Sequence, residues 1–385
     1  MVTRVSVSPE LYSWAIARSR TSPDALASKF PKLELWMTSP DQMPTLKQLE
    51  KFANATHAPL GYLLLAEPPS EELPVADYRT IANTPMGNPS ANLLETIYLC
   101  EQRQDWYRDY ARTNGEAPIP FVGTVTESSD PVFAAESMRE LLGFGLAERS
   151  RFGSWTDAIA RLSESAEDAG LLVMISGVVG SDNHRPLDPE EFRGFSLVDE
   201  YAPTIFINGA DTKAAQIFTL AHELAHIWLG KPSLDDASVA FRSSTGTERW
   251  CNQVAAELLV PMSAFLEQFD VRAQLTDELR RLARIFRVST LVILRRVFDG
   301  DRMTWDEYEA AYRRELRRVM RYAEEHGGSG GNFYNTTPVR ASKRFTRAVI
   351  ESAHEGQTMY VEATRLLGFK KLKTFDQLGE RLGVG

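Results

Sequence analysis

The chain has 385 residues, of which 43% are hydrophobic and 25% charged, and its formal net charge is −9 at pH 7. This composition is typical of a folded globular protein, and it excludes general disorder and a fibrous repeat. At roughly 150 residues per domain, the length predicts two or three domains.

The number of cysteines and the length of the apolar runs indicate the compartment of the protein. The two cysteines, Cys100 and Cys251, exclude a disulfide framework and a cysteine-based metal cluster. No run of about 18 apolar residues occurs, so we expect no membrane-spanning helix. The first residues also lack the long apolar stretch of a secretory signal. We therefore expect a cytoplasmic protein with no membrane partner.

The charge is unevenly distributed along the chain. Residues 67–260 carry a net charge of −16, whereas residues 1–66 carry +2 and residues 261–385 carry +5. The acidic middle does not favour nucleic-acid binding along the whole chain, although either end is able to contact an anionic partner. Solvated helix faces are the simpler explanation of the basic residues.

Residues 1–66 are predicted to form a small helical domain. One of its helices should start near Pro44, because apolar residues at helical spacing follow that position. A proline-rich stretch marks the end of this domain. Residues 67–130 are predicted to hold a linker and then one long helix over 91–113.

The central domain is predicted to span residues 131–265. Two helical patterns are followed by three β-prone runs, which we predict as strands at 171–175, 195–198 and 204–208. The rest of the chain is predicted to be helical, with an extension at 266–326 and a C-terminal helical region at 327–385 that opens on a glycine-rich break.

A capped apolar helix over 216–230 carries the most informative pattern. Asp211 or Thr212 can cap its start, and Gly230 is a stop signal. The helix is the structural context in which a metal-binding H-E-x-x-H motif is expected.

That motif is formed by His222, Glu223 and His226. Two histidines four residues apart lie on one face of a helix and can bind one metal ion. Glu223 projects beside the metal, where it can take a proton from metal-bound water. The alternative, a buried helix with two incidental histidines, is the less favoured interpretation because the whole motif falls in the right context.

A third ligand is needed, because a catalytic zinc typically has three protein ligands and one open position. We favour Glu248 on the next predicted helix. Asn252, four residues later on the same face, can then bond the outer nitrogen of a histidine ligand. Thr245 and Glu248 also match a capping box. Glu257 is the alternative ligand, and a solvated surface carboxylate is its simpler role.

Two segments resemble the ImmA/IrrE family of metallopeptidases. Residues 218–226 read FTLAHELAH against the family's FTLAHELGH, and residues 248–261 resemble its E-x-x-A-N-x-F-A-A-x-L-L-x-P pattern. The chain departs from these patterns at Ala225, Cys251 and Val254, all of which are small or apolar changes. These motifs cover about 60 residues.

The resemblance implies a gluzincin-like site in which His222, His226 and Glu248 bind the metal and Glu223 is the general base. Zinc is the expected metal, and manganese is the alternative. The predicted fold is α+β and mainly helical, with a small mixed or antiparallel sheet packed on the HExxH helix and with helical N- and C-terminal regions. Residues 131–265 are then the zinc peptidase domain.

The resemblance also implies a partner. Members of the family are known for cutting repressors of the Xre type, so a specific protein substrate of this kind is expected. Residues 11–65 resemble, more weakly, the helix-turn-helix module of long family members, and residues 332–383 resemble their tail. The interval 31–40 is short and lacks a face that reads bases. DNA binding by residues 1–66 and a structural or protein-contacting role therefore both stay open as alternatives.

In the predicted reaction, Glu223 removes the proton of the attacking water and passes it to the leaving amine. His184, Arg193 and Tyr201 are candidates for stabilising the oxyanion, although a solvated loop position is the simpler expectation for each. The strand at 204–208 is predicted to be an exposed edge on which an extended substrate segment pairs.

The sequence thus predicts an intracellular zinc endopeptidase that inactivates a transcriptional repressor. Two alternatives stay open. One is a DNA-binding transcriptional regulator or toxin–antitoxin partner with a vestigial metal site. The other is a general aminopeptidase, for which no acidic pair that would bind a substrate N-terminus is evident.

Overall fold

A computed structural model describes residues 3–39, 41–71, 89–149, 151–235, 246–326, 333–369 and 371–384. The predicted glycine-rich break and Thr245 of the predicted capping box lie outside these residues. The chain divides into two compact units, Met1–Tyr98 and Leu99–Gly385.

The described chain is mainly helical. The α-helices of the first unit are Pro9–Ser19, Pro23–Lys29, Leu33–Thr38 and Leu46–Thr56, and a 3-10 turn follows at Tyr62–Leu64. The division between the units falls within helix Ala91–Thr113. The helices of the second unit that follow are Pro131–Leu142, Leu146–Arg149, Trp155–Asp168, Lys213–Leu229 (the metal helix), Gly246–Leu259 (the glutamate helix), Met262–Gln268, Leu275–Phe286, Thr290–Asp299, Trp305–His326, Phe333–Ala341, Lys343–His354, Tyr360–Leu367 and Leu372–Leu382. Within the part of the chain that the structure describes, every helix is too short or too polar to serve as a bilayer-spanning segment.

The first unit packs its helices around an aromatic core. Tyr12 meets Phe52 edge-on, with ring centroids 5.3 Å apart, and both side chains are fully buried. Helix Leu46–Thr56 begins with a capping box, in which Thr45 and Gln48 each bond to the other's backbone N–H. The helix predicted in this part of the sequence is present, and local hydrogen bonds fix its start.

Four strands form one mixed sheet in the second unit, β1 (Leu172–Ser176), β2 (Gly194–Leu197), β3 (Thr204–Asn208) and β4 (Ser233–Asp235), in the order β1-β3-β2-β4. β3 runs parallel to β1 and antiparallel to β2, which pairs antiparallel with β4. This sheet among many helices confirms the predicted α+β class. The predicted strands lie within one residue of β1, β2 and β3. β4 was not predicted, because three residues are too few for a period-two pattern.

β3 is an interior strand, so the prediction of an exposed edge at 204–208 is wrong. Both of its sides are paired, and all five residues are buried. Ile205 and Ile207 belong to the core beneath the metal helix, whereas Phe206 stacks on Phe195 on the opposite face with ring centroids 5.1 Å apart. A strand that is apolar at successive positions is typically covered on both faces, which explains its central place.

Helices cover both faces of this sheet. The metal helix and helix Trp155–Asp168 share one core with Val173 of β1. Met174, the next residue, points to the other face, because side chains alternate along a strand. There its sulfur lies 3.7 Å from Sγ of Cys100 on helix Ala91–Thr113. The metal helix therefore lies on one face of the sheet, where it also packs against the glutamate helix.

Candidate metal centre

The metal helix begins and ends at residues predicted for it. Thr212 is its N-cap, and the Thr212 side chain accepts a hydrogen bond from the backbone N–H of Ala215 at 3.2 Å. Gly230 ends the helix with φ at 67°, a left-handed conformation that glycine adopts without strain. These two ends fix the helix, so that positions 222 and 226 share one face.

His222, His226 and Glu248 converge on one point. The two Nε2 atoms lie 3.1 Å apart, and the Glu248 oxygens lie 3.2 Å from Nε2 of His222 and 3.3 Å from Nε2 of His226. Two atoms bound to one ion at about 2.0–2.1 Å in tetrahedral geometry are roughly 3.3–3.4 Å apart, so each of these three distances fits a shared zinc ion. Glu248 keeps 20% of its side chain exposed, which leaves the cluster open on one side.

The electrostatics of the cluster suit a cation. Burial alone would raise the pKa of Glu248, but the hydrogen bonds and charges of His222 and His226 hold that pKa well below its usual range. Glu248 is therefore ionised at neutral pH, the form in which a carboxylate binds a metal. Two imidazoles and one carboxylate are a donor set that zinc accepts.

Asn252 supports one of the two histidines. It lies one turn after Glu248, and its Oδ1 is 3.1 Å from Nδ1 of His222. An amide oxygen only accepts hydrogen bonds, so Nδ1 donates to Asn252, and Nε2 is the nitrogen that faces Glu248 and His226. This is the contact expected if His222 and Glu248 bind the same ion.

Glu223 is fully buried and lies beside β4. Ser233 Oγ donates a hydrogen bond to Glu223 Oε2 at 2.5 Å, and Ser196 Oγ lies 3.0 Å from Ser233 Oγ. An ionised carboxylate only accepts, so Ser233 donates to Glu223 and in turn accepts from Ser196. Sequence reasoning missed both serines, because their contact depends on the pairing of β2 with β4 rather than on any local pattern.

Glu257, the alternative ligand in the sequence, lies elsewhere. Its Oε2 accepts a hydrogen bond from Nη2 of Arg296 at 2.7 Å, and the backbone N–H of Met262 donates to the same carboxylate. The side chain is buried, so the expected solvated position is wrong. Its partner is a residue distant in sequence, which the local pattern did not reveal.

The three candidates for stabilising the oxyanion are one exposed side chain and two side chains that contact residues outside the metal cluster. His184 is exposed in the loop between β1 and β2. Arg193 pairs with Asp211, with Nε and Oδ2 3.8 Å apart. The Arg112 guanidinium lies 4.9 Å from the ring centroid of Tyr201. None of these contacts involves the three clustered side chains, so the structure adds no support for any of the candidates.

Residues 121–127 contact both of the helices that carry the metal ligands. Phe121 stacks on Trp228 of the metal helix with ring centroids 4.1 Å apart. Glu127 accepts hydrogen bonds from Lys231, just after the metal helix, and from Thr247, at the start of the glutamate helix. These bonds lower the pKa of Glu127, which bridges the ends of the two helices as a carboxylate.

Comparison with known families agrees with this geometry. Residues 166–298 match the family model described as the IrrE N-terminal-like domain, a peptidase family. This match confirms the predicted resemblance to the ImmA/IrrE family and supports a function of metallopeptidase type. Residues 341–381 match a domain of unknown function (DUF8813). The search of curated proteins found no match to this chain.

Proposed function

We propose that the protein is a zinc-dependent endopeptidase. The observation that carries this proposal is the convergence of His222, His226 and Glu248 at the mutual distances of atoms that share one metal ion. The match to a peptidase family over the same residues supports it. Manganese is the alternative ion for this mixed nitrogen and oxygen set.

The proposed mechanism assigns one task to each side chain. Zinc, when bound, supplies Lewis acidity and makes water a stronger nucleophile at neutral pH. Glu223 takes the proton of the attacking water and then delivers it to the leaving amine. Ser233 holds the Glu223 carboxylate in place, and Asn252 accepts a hydrogen bond from Nδ1 of His222, which turns Nε2 towards the other two ligands.

β4 is the strand on which we place an extended substrate. It lies at one end of the sheet order, with β2 as its partner on one side. Ser233 belongs to β4 and bonds to Glu223, so this strand runs beside the general base. A substrate segment that adds to a terminal strand is held by backbone hydrogen bonds over several residues. β4 thus replaces β3 as the strand on which the substrate is proposed to pair.

The substrate that we propose is a small Xre-type transcriptional repressor in the cytoplasm, by analogy with the family that the sequence resembles. DNA contact by residues 1–66 is a weaker proposal. Helix Leu33–Thr38 occupies the place of a recognition helix, yet its six residues include no lysine or arginine. A role in contacting protein is equally compatible with the exposed apolar side chain of Leu35.

The test is cleavage of a co-expressed Xre-type repressor by wild-type protein and by Glu223→Gln. The variant keeps the size of the side chain but cannot accept the proton, so we expect cleavage to fall by about 100-fold or more. Zinc content should stay at one ion per chain in both proteins. Full activity of Glu223→Gln would reject Glu223 as the general base. Failure of the wild-type protein to cleave the repressor would reject the enzyme and favour a DNA-binding regulator or toxin–antitoxin partner instead.

A further inference from the structure

The C-terminal region packs against one end of the sheet. Helices Phe333–Ala341 and Lys343–His354 both contact β1, which is a terminal strand in the sheet order. The C-terminal region, residues 327–385, includes the whole segment 341–381 that matches a family of unknown function. The family match assigns no role to this region, so we infer its role from its contacts with the sheet and the surrounding helices.

On one side, Glu167 binds the N-terminus of helix Lys343–His354. Its Oε1 accepts hydrogen bonds from the backbone N–H of Lys343 at 2.8 Å, from that of Arg344 at 3.4 Å and from the hydroxyl of Ser342. The first N–H groups of a helix have no acceptor within the helix. Here an acid from another helix supplies the acceptor, and its negative charge is favourable at the positive end of the helix dipole.

On the other side, Arg103 binds the C-termini of two helices. Its Nε donates to the carbonyl oxygen of Leu366 at 3.1 Å, and its Nη1 donates to that of Arg340 at 3.2 Å. These carbonyls lie in the last turns of Tyr360–Leu367 and Phe333–Ala341. Arg103 is buried, and the negative ends of the two helix dipoles offset its charge.

Glu167 and Arg103 lie on opposite faces of the sheet. Glu167 ends helix Trp155–Asp168, which shares the core of the metal helix. Arg103 belongs to the helix on the other face, where its Nη1 lies 3.6 Å from the sulfur of Met174. A segment that is held on both faces passes around an edge of the sheet. Because its helices contact β1, that edge is the outer side of β1.

We infer that the C-terminal region is the edge cover of the peptidase sheet, locked in place by Glu167 and Arg103. An uncovered strand edge presents unpaired N–H and C=O groups to other chains, and a helix laid against the edge prevents such pairing. The partner of this surface is the chain's own C-terminal region. The region therefore belongs to the same folded unit as the metal site and is not a separable binding module.

The amides of β1 report directly on such a cover. The N–H of Leu172 donates to the carbonyl oxygen of Pro203 at 2.9 Å, in the connection that leads into β3. Successive N–H groups of a strand point to opposite sides, so those of Val173 and Ile175 point away from β3. Their hydrogen exchange measures access to the outer edge, independently of peptidase activity.

The experiment compares hydrogen exchange, resolved to single residues, in the full chain and in Glu167→Ala. The matched control is Glu164→Ala, because Glu164 lies on the same helix but has a side chain that is 41% exposed and pairs with nearby Arg161. We expect Glu167→Ala to accelerate exchange about tenfold or more both in helix Lys343–His354 and at Val173 and Ile175. The control should change neither.

Faster exchange in helix Lys343–His354 with unchanged Val173 and Ile175 would overturn the inference, because the region would then loosen without exposing the edge. No change at either place would overturn it as well, since Glu167 would not be a lock. Glu167→Gln keeps the shape of the side chain and weakens the same contacts by removing the charge. If Glu167→Ala does not fold, Glu167→Gln is compared with the full chain by the same hydrogen-exchange measurement.

Discussion

The side chains around the metal centre are oriented by hydrogen bonds from residues on other elements. Asn252 orients the His222 ring through Nδ1, and Ser233 orients the Glu223 carboxylate. Glu248 is kept ionised by the same histidines that would share its metal. The chemistry therefore depends on a few supporting side chains as much as on the ligands themselves.

Replacement of Ser233 by alanine should slow repressor cleavage about tenfold at unchanged zinc content, because Glu223 loses the hydrogen bond that orients it. The measurement is the single-turnover rate with the purified repressor at saturating enzyme. Ser233→Thr keeps the hydroxyl and should recover most of the rate. Ser196→Ala removes only the outer hydroxyl and should have the smaller effect. Equal rates for Ser233→Ala and wild type would refute the positioning role.

The depressed pKa of Glu248 predicts a specific acid response of the metal-free protein. A carboxyl whose pKa is lower in the folded state stabilises the fold above its unfolded value of about 4.3 and loses that contribution as the pH falls further. Chelator-treated wild type should therefore lose thermal stability between about pH 5 and pH 3 more steeply than Glu248→Gln. Melting curves across this range are the measurement, and parallel pH profiles would contradict the assignment.

At the scale of secondary-structure elements, the glutamate helix is held at its C-terminal end by arginines from three other helices. They donate to three carbonyl oxygens at or just after the end of the helix, and the pairs are Arg139 with Glu257, Arg149 with Leu259 and Arg296 with Val260. Positive groups are favourable at this end of a helix dipole. Burial lowers the pKa of Arg149 to about 9, which still leaves it charged at neutral pH.

Arg296→Met should destabilise the protein by about 3–5 kcal/mol, because it leaves the buried Glu257 carboxylate without its cationic partner. Arg295→Met is the matched control, since Arg295 is adjacent but more exposed and its ion pair with Asp299 contributes at most about 1 kcal/mol. Urea unfolding of the two metal-free variants measures the difference. Similar losses in both would mean that the Glu257 pair is not an anchor.

The elements that could be predicted from the sequence are those determined by local spacing. The metal helix follows from a cap, an apolar period and a stop signal, and it alone sets the relation of His222 to His226. Glu248 and Asn252 are likewise one turn apart on one helix. Ser233 and the Glu257–Arg296 pair could not be predicted, because each depends on contacts between elements. The prediction of β3 as an edge strand is wrong for the same reason, because the order of strands in a sheet depends on packing between elements.

For the whole molecule, the family match to a peptidase covers residues 166–298, about a third of the chain. Residues outside that match also contact the elements of the metal site, since Glu127 binds the ends of the two ligand-bearing helices and the C-terminal region binds Glu167. The domain boundaries predicted from the sequence, including the separate C-terminal region at 327–385, stay predictions. The inferred edge cover would join part of that region to the peptidase unit.

The central claim is that two imidazoles and one carboxylate bind a single catalytic zinc ion. The most direct measurement is X-ray absorption at the zinc edge of the full-length protein loaded with one equivalent of zinc. The account predicts only nitrogen and oxygen ligands at about 2.0–2.1 Å, two of them imidazoles. A sulfur ligand at about 2.3 Å, or a failure to retain stoichiometric zinc, would contradict it.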